Sequence, residues 1–170
     1  MLFRSVLADP FIPELSAIRD SKEVPEKERD ALFDLIHEVA LSISIVEISV
    51  AEIDERGVHA ANLAGMRRAV QGLSISPAYV LTDGYAIEGL GLPNLAVWKG
   101  DQVVTAISAA SIIAKVTRDR AMVELDRKYP QYGFAQHKGY ITAAHTKALA
   151  EHGPCAEHRT SFANIAALLA

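Results

Sequence analysis

Residues 77–101 read PAYVLTDGYAIEGLGLPNLAVWKGD, and the reading of this stretch decides the fold class. Pro77 opens a short apolar run, Ala78 to Thr82, that reads as a strand. It stops at Asp83-Gly84, a turn pair. A glycine-rich loop follows, and Leu95 to Trp98 reads as a second short strand, ending at Lys99-Gly100-Asp101. Downstream, Ile107, Ala110, Ile113, Ala114 and Val116 recur at helical spacing, so Val103 to Lys128 is expected to be one long helix. Upstream, Ala51 to Leu73 is helical with Leu63, Met66, Ala69 and Val70 on one face, split at Gly57. Ser42 to Val50 (SISIVEISV) alternates and is rich in β-branched residues, which predicts a strand. Leu32, Phe33, Ile36, Val39 and Ala40 mark an amphipathic helix over residues 25–41, with Pro25 at its first position. Val6 and Leu7 end a strand before Asp9-Pro10 and Ile12-Pro13 interrupt regular structure. Residues 129–141 read as loop, Thr142 to His152 as a helix closed by Gly153, and the tail from Phe162 as apolar enough to dock. Strands alternating with helices predict an α/β or α+β sheet protein in one domain, residues 1–170.

The composition agrees. Half of the 170 residues are apolar and 22% are charged, which is globular and not disordered. The single cysteine, Cys155, excludes an intramolecular disulfide framework and argues against a cysteine-based zinc site. No apolar run approaches the roughly 20 residues of a membrane span. Met1 to Pro10 lacks a basic start and a small-residue cleavage site, so a cytoplasmic protein without a signal peptide is expected. The net charge of −4 is unevenly spread. Residues 1–60 sum to −7, while residues 98–160 sum to +3 and hold four of the six histidines. The basic last third is the place to look for an anionic partner.

Asp83 stands where a short strand meets a glycine, and Asp101 stands at the corresponding place after the next strand. An Asp-Gly pair is also a turn signal, and Asp101 also suits a helix N-cap. If the two strands pair, the two carboxylates converge at one sheet edge. Such a pair suits hard divalent cations, which activate water and stabilise the leaving oxygen of a phosphodiester. Asp119, in Thr117-Arg118-Asp119-Arg120, is either a third ligand or, the favoured reading, one partner of a salt bridge within the helix. His137, His145, His152 and His158 lack zinc spacing and cysteine partners, so structural or phosphate-contact roles are expected. Tyr140, in His137-Lys138-Gly139-Tyr140, is either a packed loop tyrosine or a platform stacking on a sugar or base, with Lys138 on phosphate. The glycines form neither a phosphate loop nor a dinucleotide fingerprint, and there is no hydrolase elbow.

Further stretches carry a resemblance. They are Asp20-Ser21-Lys22, Glu52-Ile53-Asp54, residues 65–70 (GMRRAV), Leu81-Thr82-Asp83-Gly84, Lys99-Gly100-Asp101, residues 109–120 (AASIIAKVTRDR), Tyr129-Pro130 to Gly133-Phe134, His137-Lys138-Gly139-Tyr140 and residues 158–162 (HRTSF). In this order they resemble ribonuclease HII, the bacterial type 2 ribonuclease H, over nearly the whole chain from Asp20 onward. Gly153-Pro154-Cys155 before His158 resembles actinobacterial members.

The resemblance implies a ribonuclease H-like fold, a mixed β-sheet flanked by helices. It implies endonucleolytic cutting of RNA in RNA–DNA hybrids, including ribonucleotides embedded in duplex DNA, and a place in ribonucleotide excision repair. The implied cofactor is Mn²⁺ or Mg²⁺ held by four acidic residues. Asp83 and Asp101 match two of them, as catalytic and metal-binding residues. Tyr140 matches the tyrosine that stacks at the ribonucleotide–deoxyribonucleotide junction, and Lys138 lies beside it. Ser21 and Lys22 match an element for which a backbone-phosphate role is implied. The expected partner is the hybrid or ribonucleotide-containing duplex, with no membrane and a monomeric chain.

The family opens with a strand carrying Asp-Glu-x-Gly-Arg-Gly, which supplies its first two ligands and reads the ribose 2′-OH. Nothing in these 170 residues matches it, and Val6 to Pro10 aligns with the end of the family's second strand. The expectation is therefore a chain lacking the first strand and part of the second, impaired or inactive by itself. The alternative is a non-catalytic fragment that binds hybrid or nucleic acid.

Overall fold

The computed structural model describes residues 2–7, 13–15 and 24–169. They divide into two compact units, one of Leu2–Glu47 with Asn62–Val116 and one of Ile48–Ala61 with Thr117–Ala170.

In the first unit, β1 (Leu2–Leu7) pairs antiparallel with β2 (Ser42–Glu47), from Leu2 opposite Glu47 to Leu7 opposite Ser42. Strand β1 ends at Leu7 as expected but is longer than its Val6-Leu7 signal; the Asp9-Pro10 break lies outside the described residues. Helix α1 (Glu26–Val39) starts one residue later than predicted. Pro25 precedes it with ψ 150°, and its carbonyl accepts the Arg29 N–H at 2.9 Å. Strand β3 (Val80–Asp83) pairs parallel with β4 (Asn94–Val97), Leu81 opposite Leu95 and Asp83 opposite Val97. Parallel neighbours need a connection, here residues 84–93. Asn94 holds that loop by mimicking a strand partner: its side-chain oxygen accepts the Ile87 N–H at 3.0 Å, and its amide donates to the Ile87 carbonyl at 3.1 Å.

The expected long helix is present and starts two residues later than Val103. A single turn, α4 (Gly100–Val103), ends at Val104, which is extended (φ −125°, ψ 112°), and α5 (Thr105–Lys128) follows. Hydrophobic spacing continues through Val104, so periodicity had no signal for the break. The buried face of α5 holds Ile107, Ile113 and Val116 as expected, and adds Ala109 and Ile112. Ala109, Ile112, Ile113 and Val116 are buried with Leu15 and Ile36, and Leu32, Phe33 and Ile43 pack against them. At 100° per residue these four lie within one narrow stripe, whereas Ala110 and Ala114 fall on its flank and are half-buried. Truncating Ile112 or Ile113 to Ala would cost about 2–5 kcal/mol.

In the second unit, α2 (Val50–Arg56) is capped by Ser49, whose hydroxyl accepts the Glu52 N–H at 3.1 Å. Gly57 (φ 78°) separates α2 from α3 (Val58–Gln71), as the sequence predicted; the boundary between the units passes through α3 and α5. Residues 129–141 are not all loop, because α6 (Phe134–His137) forms a short turn there. Helix α7 (Ala143–His152) is capped by Thr142 and ends at Gly153, and α8 (Ala163–Leu169) docks through Ile165. Tyr132, Phe134, Ala148, Leu149 and Ile165 form this unit's core. Among the described residues, no helix is long and apolar enough to cross a membrane.

Candidate active site and the tyrosine loop

The pairing of β3 with β4 places the ends of the two strands side by side. The Gly84 N–H donates to the Val97 carbonyl at 3.0 Å, which aligns the turn after β3 with the end of β4. The chain then turns through Lys99, a non-glycine residue with φ 52° in the left-handed region. This turn delivers the Gly100 N–H to Asp83, whose Oδ1 accepts it at 2.9 Å. Asp101 is the next residue. It is not the N-cap that sequence allowed: Lys99 holds that position, and Asp101 lies inside α4, only 6% exposed. Ser108 anchors the turn from below, its buried hydroxyl donating to the Asp101 carbonyl at 2.6 Å. Gly100 is glycine because of space. A Cβ there would meet Ile107 Cδ1 at 2.5 Å, closer than real Cβ contacts come.

Asp83 is exposed at the rim and Asp101 is buried behind it, with one peptide between them. Two carboxylates suit Mg²⁺ or Mn²⁺, which commonly take one or two carboxylates and complete their shell with water and phosphate oxygens. Among the described residues, no three His, Cys, Asp or Glu side chains form a group able to hold a metal ion. Asp119 is buried on α5 and belongs to no such group.

The second candidate region lies in the other unit. Tyr140 is 64% exposed, but its backbone is fixed on both sides. Its N–H donates to the His137 carbonyl at 2.9 Å, and its carbonyl accepts from His145 Nδ1 at 3.1 Å. Lys138 has φ 50°, and its carbonyl accepts from Arg118 Nη2 at 3.1 Å. Gly139 follows with φ 78°, in the left-handed region that disfavours any side chain. Its N–H donates to His137 Nδ1 at 3.1 Å, so the other ring nitrogen of His137 donates to the Tyr132 carbonyl at 2.8 Å. His137, His145 and His158 are all buried, which gives them the structural role and not the phosphate contact. Burial in this aromatic cluster lowers the pKa of both His145 and His158 below the usual 6.5. Ser21 and Lys22 lie outside the described residues.

A third contact ties α2 to the segment before α8. Asp54 accepts four hydrogen bonds, from the N–H and hydroxyl of Thr160 (both 2.8 Å) and of Ser161 (3.1 and 2.6 Å). The Ser161 hydroxyl leads in holding the Asp54 carboxyl down to about 2. Beside it the Arg159 guanidinium lies over the Phe162 ring, 3.6 Å from its centroid.

The sequence model of the ribonuclease HII family matches residues 8–165. The chain belongs to the ribonuclease HII family. The relatives agree: it is 54% identical over 160 residues to ribonuclease HII of Mycolicibacterium smegmatis, covering 94% of this chain and 59% of that protein. Against ribonuclease HII of Acidothermus cellulolyticus it is 56% identical over 151 residues, covering 89% of this chain and 49% of that protein. The chain thus spans about half to two-thirds of the length of the relatives it matches best. The fold is that of the crystal structure of ribonuclease H2 from Pyrococcus horikoshii OT3, with a TM-score of 0.78 at 22% identity, covering 99% of this chain and 97% of that one. Ribonuclease HII membership confirms the resemblance read from the motifs and the ribonuclease H-like fold it implied.

Three features of this ribonuclease HII chain escaped sequence reasoning. The bond from the Gly100 amide to Asp83 was hidden because a lone Lys-Gly-Asp gives no hint of what its backbone meets. The histidine pairing was hidden because His145 and His158 stand 13 positions apart in the chain. The Asp54 clamp spans 106 residues and had only the co-occurrence of two family stretches as a signal.

Proposed function

We propose that this protein is an endonuclease that hydrolyses the RNA strand of RNA–DNA hybrids and cuts at ribonucleotides embedded in duplex DNA. The observation that carries this reading is the bond from the Gly100 N–H to Asp83 at the end of β3, which brings Asp83 to the residue before Asp101. Family membership supplies the substrate class. Asp83 and Asp101 are the two carboxylates that would hold Mn²⁺ or Mg²⁺. A divalent ion there supplies positive charge to acidify a bound water and to offset the charge developing on the leaving oxygen.

The chain's own residues do the remaining work. The Gly100 N–H occupies one oxygen of Asp83 and so orients the carboxylate, leaving the other oxygen free of that bond. Ser108 fixes the peptide of Asp101. Tyr140 offers an exposed ring to the ribonucleotide junction, and Lys138 offers an ammonium to an adjacent phosphate. Ser21 and Lys22 contact the nucleic-acid backbone. The cellular role that follows is ribonucleotide excision repair in the cytoplasm, by a monomeric protein.

The test is cleavage of a duplex carrying one ribonucleotide. In the full protein, Asp83→Asn or Asp101→Asn should lower cleavage by at least about 100-fold while leaving binding in EDTA within about threefold. Undiminished cleavage by either variant overturns the assignment. A second reading, a hybrid-binding chain without cleavage, is favoured by the lack of a three-ligand metal group among the described residues. It is also favoured by the absence of Asp-Glu-x-Gly-Arg-Gly from residues 1–170. A polypeptide of residues 1–170 alone should therefore cleave little or not at all, and robust Mn²⁺-dependent cleavage by it would exclude the second reading.

A further inference from the structure

Beneath Tyr140 the hydrogen bonds run in one direction only. The Tyr140 carbonyl can only accept, so His145 Nδ1 carries a proton and donates to it at 3.1 Å. The Cys155 N–H can only donate, so His158 Nδ1 is bare and accepts it at 3.0 Å. The neutral His158 ring therefore carries its proton on Nε2. That nitrogen stands 3.1 Å from Nε2 of His145, which in the neutral ring is the bare one. Every donor in the series meets an acceptor, from the Cys155 amide through His158 and His145 to the Tyr140 carbonyl. The His145 ring is also stacked on His137, 4.2 Å between centroids and 14° from parallel, and His137 holds the Tyr140 N–H through its own carbonyl.

We propose that His145, backed by His158, is a positioning residue for Tyr140: a series of neutral imidazoles clamps the Tyr140 peptide so that its exposed ring is presented ready to stack on the ribonucleotide. This rests on the reading of Tyr140 as the stacking side chain. The clamp works only with one proton between the two Nε2 atoms. A second proton would set N–H against N–H at 3.1 Å and break the series.

The titratable groups around the pair do not all act alike: His137 disfavours charge on either ring, whereas the Glu157 carboxylate, which pairs with Lys128 at 3.8 Å, would favour it. From α6, His137 is a third imidazole that disfavours charge on either ring. From α5, Arg118 brings a cation to the Lys138 carbonyl. Tyr132 lies edge-on to His158, 4.9 Å between centroids. From the segment before α8 come Glu157 and Cys155, whose thiol, kept protonated by burial, lies 3.1 Å from His158 Nδ1. Acidification through the lowered pKa values of His145 and His158, which lie below 6.5, should therefore release Tyr140.

The experiment is equilibrium binding of the full protein, in EDTA, to a fluorescein-labelled duplex with one ribonucleotide. Tyr140→Ala should weaken binding about tenfold. His145→Ala should weaken it about fivefold, the worth of one lost anchoring hydrogen bond. His145→Asn, whose amide places a donor near the Nδ1 position, should restore most of the affinity, whereas His145→Gln should not. The double variant Tyr140→Ala/His145→Ala should bind no more weakly than Tyr140→Ala. Wild-type affinity should fall as the pH drops through the lowered pKa values of the pair, below 6.5, and that fall should be absent in Tyr140→Ala. Wild-type binding by Tyr140→Ala overturns the stacking reading itself. A weak Tyr140→Ala with a tight His145→Ala, or fully additive losses, overturns the positioning role alone. Should His145→Ala not fold, imidazole nitrogen NMR of the unmodified protein decides: Nδ1–H on His145 with Nε2–H on His158 supports the clamp, and any other pair of tautomers or a charged ring near pH 7.5 overturns it.

Discussion

The carboxylate corner and the tyrosine loop use the same local device and are held by different physics. Each has a lysine in the left-handed region followed by a glycine, Lys99-Gly100 and Lys138-Gly139, and these are the positive-φ non-glycine residues among those described. At the corner the glycine leaves room for the end of the Ile107 side chain, and the anchors are an amide and a serine hydroxyl that do not titrate near neutrality. At the tyrosine loop the glycine is required by its φ of 78°, and the anchors are imidazoles that do titrate. One region is set by shape and the other by protonation state, so the two should respond to different perturbations.

The largest effect should come from Gly100→Ala. Its Cβ would meet Ile107 Cδ1 at 2.5 Å, and the overpacking should cost about 1–3 kcal/mol in urea unfolding. Adding Ile107→Val, which removes that methyl, should recover part of the loss; equal instability in the double variant would show that packing is not the constraint. Next comes pH. His145 and His158 have folded pKa values below the ordinary 6.5, so folding favours their neutral forms. Between those lowered values and 6.5 the unfolded chain binds more protons than the folded one. Their contribution is complete above 6.5 and is lost as the pH falls below it. Amide exchange at Gly139 and Tyr140, corrected for intrinsic rates, should then accelerate while the Gly100 amide stays protected. Parallel loosening of both regions would erase the distinction.

Asp54 sharpens the comparison on the acid side. Its carboxyl is held down to about 2 against an ordinary 3.8, so its stabilisation is complete above 3.8 and is lost as the pH falls toward 2. Asp54→Ala should lower the Tm at pH 7, and the gap from the parent should close by pH 2; a pH-independent gap would assign the effect to something other than the charged acceptor. The smallest effects belong to Lys99→Gly and Lys138→Gly, which relieve left-handed strain and should leave stability within about 1 kcal/mol. Lys138→Gly should nonetheless weaken duplex binding and reduce its salt dependence, which a salt titration checks.

What sequence made legible was what is local or periodic. The ends of β3 and β4, the split at Gly57 and the Thr142 cap each follow from residues within a few positions of one another. Asp83 was found because it ends a strand and Asp101 because it follows the next one, but the bond from the Gly100 N–H to Asp83 is one that no side-chain pattern encodes. The Val104 break stayed hidden because an apolar residue satisfies helix and extended backbone alike. His145 and His158 carried no readable signal, since a buried pair of imidazoles is defined by which nitrogen faces which group. Only the folded backbone determines that.

Trp98 is 81% exposed, is the one tryptophan in the 170 residues, and stands two residues before Gly100. Its indole emission therefore originates entirely at the carboxylate corner. Quenching or a spectral shift on adding duplex reports arrival there with no label, while the histidine-clamped loop contributes nothing to the signal. Residues 1–170 thus carry an optical gauge beside Gly100, read by its fluorescence and needing no label.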